Sequence, residues 1–357
     1  MTPSPSRLAL ETAEQPDVAA RFLDRMWPRL DEISRALDRP GVERLVVVAR
    51  GSSDNAARYA QYLWGMRLGL PVALATPSLH TVYGAPADVR RSAVIAISQS
   101  GASPDVVTVL EHARAQGSPT VAVTNDPASQ LAEVADLVID LEAGPERSVA
   151  ATKTYTSSLL AVAVLAVGLG DRGGRSEAER ALRQVPSAIQ AALTGTSGIA
   201  DAVAVLAGAD RAIAVGRGLN LSTAHEAALK ITELTGILVA PYSPADLLHG
   251  PVAATGADVP AVLVAPDEPA SRSVLEIVPE LQRRGVPVVV VSQVTAGQSE
   301  PSDGVTAVDL PLEAAVADWL TPLTAVVPGQ LLASELAESR GVDVDRPGGL
   351  SKVTLTT

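Results

Sequence analysis

The chain has 357 residues, 47% of them apolar and only 3% aromatic, with a formal charge of −12 at pH 7 and no cysteine. That length suits two domains with small aliphatic cores, and the missing cysteines exclude disulfides, thiolate zinc sites and a cysteine nucleophile, so the cytoplasm is the simplest compartment. An acidic balance without a Lys/Arg block argues against nucleic acid, and an N-terminus without a basic and apolar leader argues against export.

Residues 1–39 read as helical packing, too short and too acidic for a separate DNA-binding domain. Leu45 to Ala49 is an apolar run of strand length that breaks at Arg50-Gly51-Ser52-Ser53, and a helix is predicted from there to about Gly65. A second buried strand, Ala93 to Ile97, runs into Ser98-Gln99-Ser100-Gly101-Ala102-Ser103, with a helical pattern starting at Pro104. Three hydroxyls and a glycine where a helix begins suit an anion such as phosphate, because the first N–H groups of a helix lack partners and its dipole is positive there. The plainer alternative is a turn with Ser103 as the helix cap. Gly117 to Val123 forms the next strand, and Leu159 to Leu169, the most apolar run, is a core helix too short to span a bilayer. Gly170 to Arg175 reads as a linker, followed by a helix from Ser176 to about Leu193.

The pattern then repeats. Ala212 to Val215 leads into Gly216-Arg217-Gly218, echoing Arg50-Gly51, and Gly285 to Val291 echoes Gly117 to Val123 at nearly the same offset. Apolar strands alternating with helices imply a parallel sheet covered on both faces in each half. The strand Val259 to Val264 corresponds to Val94 to Ile97, but Ala265-Pro266-Asp267-Glu268-Pro269 follows it, where two carboxylates and two prolines disfavour a phosphate. Only the first copy is expected to keep the anion site.

Glu226, Lys230 and Glu233 follow the second Arg-Gly turn at spacings that share one helix face; by themselves they fit a solvated stripe as well as a site. His249, in Leu248-His249-Gly250-Pro251, is a candidate general acid or base on a stiff loop, or a histidine satisfied by a carbonyl. His80 and His112 have no informative context, and His225 is expected on a helix surface. The tail from Gly341 to Lys352 would ordinarily fray, yet Lys352 could engage a carbonyl if brought into a pocket. Neither glycine turn completes a dinucleotide fingerprint, His225-Glu226 lacks the second histidine of a helical zinc motif, and no metal or cofactor is expected.

Six motifs together resemble the sugar isomerase (SIS) family, and within it the isomerase halves of the glutamine:fructose-6-phosphate amidotransferases. They are Arg50-Gly51-Ser52-Ser53, Ser98-Gln99-Ser100-Gly101, Val149-Ala150-Ala151-Thr152-Lys153, Glu226-Ala227-Ala228-Leu229-Lys230 with Glu233, His249-Gly250-Pro251, and Asp343-Val344-Asp345-Arg346-Pro347 with Lys352. The resemblance implies an α/β fold of two tandem doubly wound parallel-sheet SIS domains, three-layer αβα and flavodoxin-like. These would occupy residues 40–170 and 198–340, with a linker and helix over 171–197 and an active-site tail over 341–357. It further implies that Ser98, Gln99, Ser100 and Ser103, helped by Ser53, hold a sugar phosphate while Ser52 and Val149 line the sugar. His249 would open the sugar ring, Glu233 would carry a proton between C1 and C2, Lys352 would approach the carbonyl, and Glu226 and Lys230 would support the site. A homodimer with composite sites follows from the same resemblance.

Two departures separate the chain from the family's synthases. It has neither the length nor the cysteine of a glutaminase domain, and Leu248 and Ala151 stand where the synthases carry a lysine and a serine. The expected function is therefore a deaminating isomerase of amino-sugar phosphates, converting glucosamine-6-phosphate to fructose-6-phosphate and ammonia. The alternatives are a fructosamine-phosphate deglycase, an ammonia-dependent synthase-type isomerase and a non-catalytic sugar-phosphate sensor.

Overall fold

The computed structural model describes residues 5–37, 41–293 and 304–352; the last five residues of the tail lie outside them. Helices α1 (Arg7–Ala13), α2 (Gln15–Met26) and α3 (Leu30–Leu37) precede the first sheet. That sheet follows in the order β1 (Arg44–Ala49), α4 (Ser52–Leu68), β2 (Val72–Leu74), α5 (Ser78–Thr81), β3 (Ser92–Ile97), α6 (Pro104–Ala115), β4 (Thr120–Thr124), α7 (Gln130–Val134) and β5 (Leu137–Asp140). Its strands are all parallel, in the spatial order β2-β1-β3-β4-β5. Every residue of β3 and β4 is buried, as both faces of a central parallel strand require.

Helices α8 (Lys153–Leu169), α9 (Arg175–Gly195) and α10 (Ile199–Leu206) lead to the second sheet. It contains β6 (Arg211–Val215), α11 (Leu221–Thr235), β7 (Leu238–Tyr242), α12 (Pro244–Leu248), β8 (Ala261–Val264), α13 (Ser271–Leu275), α14 (Val278–Arg283), β9 (Val288–Gln293) and β10 (Val305–Leu310), and closes with α15 (Pro322–Ser339). Its strands are again parallel, in the order β10-β9-β8-β6-β7, which read backwards is the order of the first sheet. The duplication expected from the repeated motifs is thus a duplication of topology.

Two compact units result. One holds Asp17–Glu146, Lys153–Arg183 and Ser351–Thr357; the other holds Met1–Pro16, Arg147–Thr152 and Gln184–Leu350. In the first unit α8 packs against α3 and α4 and is buried on all sides from Lys153 to Gly168. It begins six residues before the apolar run that announced it. The extra residues, Lys153 to Ser158, are polar yet buried: Thr154 donates twice to the Glu146 carboxylate and Ser158 Oγ to Thr154 O, while Ser157 Oγ is buried without a hydrogen-bond partner. The expected linker contains a single 3-10 turn, Arg172–Gly174. In the other unit α11 lies along α15 at close range: a Cβ on Gly329 would sit 3.1 Å from the Cβ of Ala227. The short edge strands β2, β5, β7 and β10 had no individual sequence signal; β7 even contains Pro241, tolerable at an edge where one N–H is not needed.

Candidate active site

The serine turn lies at the carboxyl end of β3, between β3 and α6, and Ser52 and Ser53 open α4 at the same end of the adjacent strand β1. Sheet order therefore brings these two segments together. Gly101 has φ +60, and a Cβ there would lie 2.0 Å from Ser129 Oγ, so glycine is demanded twice over. The turn folds on itself: Gly101 N–H donates to Ser98 O and Oγ (3.1 and 3.2 Å), Ala102 N–H to Ser100 Oγ (3.3 Å), and Asn125 N–H to Gln99 O (3.0 Å). Ser103 is the N-cap residue of α6, as in the plainer alternative, although its hydroxyl makes no capping bond. Gln99, Ser100 and Ser103 are half-buried and Ser98 is buried. Arg50 donates to the buried carboxylate of Asp105 at 2.7 Å, tying the end of β1 to the first turn of α6.

On α11 the alternative of a solvated stripe does not hold for Glu226 and Lys230. Glu226 has 0% and Lys230 2% side-chain exposure, with Lys230 Nζ 3.7 Å from Glu226 Oε1 and hydrogen-bonded to Glu233. Glu233 itself is 25% exposed. Burying a carboxylate and an ammonium together is a poor way to gain stability, since desolvation offsets most of the Coulomb attraction. What the arrangement does achieve is a carboxylate held at the edge of solvent by a lysine that cannot swing away. His225, expected on the surface of α11, is half-buried.

His249 is the last-turn cap of the five-residue α12, its N–H bonded to Ala245 O at 3.1 Å and its side chain exposed. Gly250 follows with φ +153 and Pro251 opens a 3-10 turn, so the stiff-loop expectation applies from His249 onward. Glu226, Lys230, Glu233 and His249 belong to the unit of the second sheet; Ser52, Ser53, Ser98, Gln99, Ser100, Ser103 and Lys352 belong to that of the first.

Lys352 does not fray. Its ammonium is 2.7 Å from Glu146 Oε2, and the Glu146 side chain is fully buried. Val149 follows in the segment Arg147–Thr152, whose first two N–H groups donate to the buried carboxylate of Glu11 on α1 at 2.6 and 3.0 Å. Sequence reasoning missed both glutamates. A signal existed for Glu146: it stands three residues before Val149, and with only three lysines in the sequence each invites a search for an acid.

The turn after β8 differs as expected. Glu268 is half-buried, one oxygen accepting from Ala270 N–H at 2.9 Å and the other without a hydrogen-bond partner, and burial pushes its carboxyl above the usual range. An anion would meet repulsion there. Among the described residues no group of three or more His, Asp or Glu is placed to hold a metal, and no helix is long and apolar enough to cross a membrane.

Fold and site together define a duplicated, doubly wound α/β protein with a serine-lined turn in one copy and, on a helix of the other, a buried Glu-Lys pair beside a partly exposed glutamate. The chain belongs to the SIS domain family, whose domain matches residues 41–168 and 205–336. Glutamine–fructose-6-phosphate aminotransferase (isomerizing) of Bradyrhizobium diazoefficiens is 34% identical over 357 residues, covering 97% of this chain and 58% of the relative. The chain thus spans little more than half the length of the curated relatives it matches. Among solved structures, the C-terminal domain of glucosamine-fructose-6-phosphate aminotransferase from Francisella tularensis superposes with a TM-score of 0.86 at 24% identity, covering 96% of this chain and 98% of that one. Glucosamine-6-phosphate deaminase from Thermotoga maritima does so at 0.77 and 20%, covering 98% and 100%. These two likenesses establish the fold.

Proposed function

We propose that the protein is a sugar-phosphate isomerase that deaminates amino-sugar phosphates, taking glucosamine-6-phosphate and water to fructose-6-phosphate and ammonia. The observation that carries this reading is Glu233, a partly exposed carboxylate pinned by the buried Lys230. Aldose–ketose interconversion needs one base able to visit two adjacent carbons, and a carboxylate held on a rigid helix suits that task.

In this scheme Ser98, Gln99, Ser100 and Ser103, with Ser53, bind the phosphate, and Ser52 and Val149 line the sugar. Binding energy spent on the phosphate fixes the orientation of carbons several bonds away. His249 moves the proton that opens the ring. Glu233 removes the proton from C2 and returns it to C1, so that the C2 amine becomes an imine; water adds to the imine carbon and ammonia leaves. Lys352 approaches the carbonyl oxygen, and Glu226 and Lys230 hold Glu233 in place. No redox change occurs, and the residues named supply every proton transfer. By family resemblance the active form is a homodimer, with His249 able to serve a neighbouring subunit's sugar.

The similarity to an isomerizing aminotransferase favours a second reading, in which the same residues run toward amination when ammonia is abundant. An ammonia-release assay over amino-sugar 6-phosphates and fructosamine phosphates tests the proposal. Ammonia with fructose-6-phosphate from glucosamine-6-phosphate is expected. Release of amino acids from fructosamine phosphates would replace it with a deglycase, and tight phosphosugar binding without turnover would leave a sensor.

A further inference from the structure

The ion pair between Lys352 and Glu146 is unusual in its economy. Glu146 lies just before α8 and is already engaged there: Oε1 accepts from Thr154 N–H at 3.2 Å and Oε2 from Thr154 Oγ1 at 2.6 Å. Those bonds satisfy the start of a buried helix, a task for which a neutral glutamine oxygen would serve. Glu146 instead places a carboxyl there, its side chain without solvent exposure, and Lys352 Nζ meets the same Oε2 from 206 residues away at 2.7 Å. Holding a long side chain in one geometry costs rotamer freedom, so this contact is badly chosen as a stabiliser. It is well chosen to place one ammonium.

The tail before it is also fastened. Asp345 accepts from the backbone N–H groups of Arg7 and Leu8 at 3.0 and 3.1 Å and pairs with the Arg7 side chain. Between these two anchors run only six residues, Arg346 to Ser351, so Lys352 is delivered on a short tether.

We propose that Glu146 is a positioning residue for the reaction: its buried carboxylate, fixed on the first turn of α8, latches Lys352 and so sets where the tail presents its ammonium. The latch rests on the role given to Lys352 under the proposed function. Glu146 touches no substrate and exchanges no atoms; it acts through the lysine.

The test is a cycle of Glu146→Gln, Lys352→Met and the double variant, in the full chain. With Glu146→Gln, kcat is expected to fall about 100-fold while KM moves less than about threefold, because the loss is in placing a reacting group and not in gripping phosphate. The double variant should be no slower than Lys352→Met alone, within about threefold, since residues acting as one unit are not additive. Amide hydrogen exchange over residues 346–352 should quicken at least about tenfold in both single variants. Multiplied losses in the double variant, an unaltered kcat in Glu146→Gln, or tail exchange as slow in Lys352→Met as in the parent would each overturn the latch. If the parent releases no ammonia from any sugar offered, the function falls instead, and the exchange comparison, which Lys352→Met alone can supply, still decides whether the latch exists.

Discussion

Gly101 shows how much a single position can constrain a ligand turn. Any side chain there would need a left-handed backbone and the space of Ser129 Oγ, so Gly101→Ala is expected to cost at least about 1–3 kcal/mol and to abolish phosphosugar binding together. Calorimetry paired with a phosphosugar titration checks both. Ser100→Ala is milder. It removes one hydroxyl from a charged ligand and should weaken binding by about 1–3 kcal/mol, leaving affinity for the unphosphorylated sugar unaltered. For Glu233→Gln the expectation is loss of C2-hydrogen exchange with solvent by about 100-fold or more while the phosphosugar still binds. Unchanged exchange would remove Glu233 from the chemistry. At this scale the residue types were legible in the sequence, because serine, glycine, glutamate and lysine announce what they can do. Their burial was not: nothing in the spacing of Glu226, Lys230 and Glu233 separates a solvated stripe from a buried Glu226 and Lys230 with Glu233 left partly exposed.

Elements respond as units where titratable groups are packed between them. His80 on α5 and His112 on α6 meet with Nδ1 atoms 2.9 Å apart and rings stacked at 5.2 Å, a pairing invisible in a sequence where the two are 32 residues apart. That bond requires one ring to donate and the other to accept. Burial, and then the charge of His112, holds His80 below its ordinary value of 6.5. A base whose folded-state pKa is depressed contributes stability that is present above its unfolded value and is lost as pH falls through the folded value. Melting temperature should therefore drop as pH is lowered from 7 to 5, and drop less in His80→Asn; equal slopes would show that the pair does not couple to folding. On α11, Lys230→Met leaves Glu226 buried beside no ammonium and should destabilise by about 3–5 kcal/mol, part of which Glu226→Gln restores in the double variant. Among elements, long central strands and the helices beside them were readable from apolar runs. Edge strands of three to six residues were not, because their partners and not their own composition make them strands.

At the scale of the molecule, the net charge and the charge of the proposed substrate have the same sign. A chain of formal charge −12 repels a sugar phosphate at long range, so kcat/KM should rise when ionic strength is raised from about 0.01 M to about 0.15 M with chloride, as screening shortens the repulsion. A fall would point to basic steering that the sequence does not contain. Removing residues 350–357 tests the tail on the same scale: Asp345 keeps its bonds to Arg7 and Leu8 while Glu146 loses the Lys352 ammonium, so turnover should be lost and the melting temperature should fall no further than in Lys352→Met. Full activity after truncation would exclude Lys352 from catalysis.

Repetition, strand alternation and the residue types of the motifs are properties of the chain read in order, and from them the sequence by itself determined the duplicated parallel α/β architecture and the chemistry available to it. The tertiary structure alone decided which charges lose their water, which acid receives Lys352 and which histidines share a hydrogen bond. Those outcomes depend on contacts between residues up to 206 positions apart, and burial, unlike residue type, belongs to the packed neighbours and not to the position.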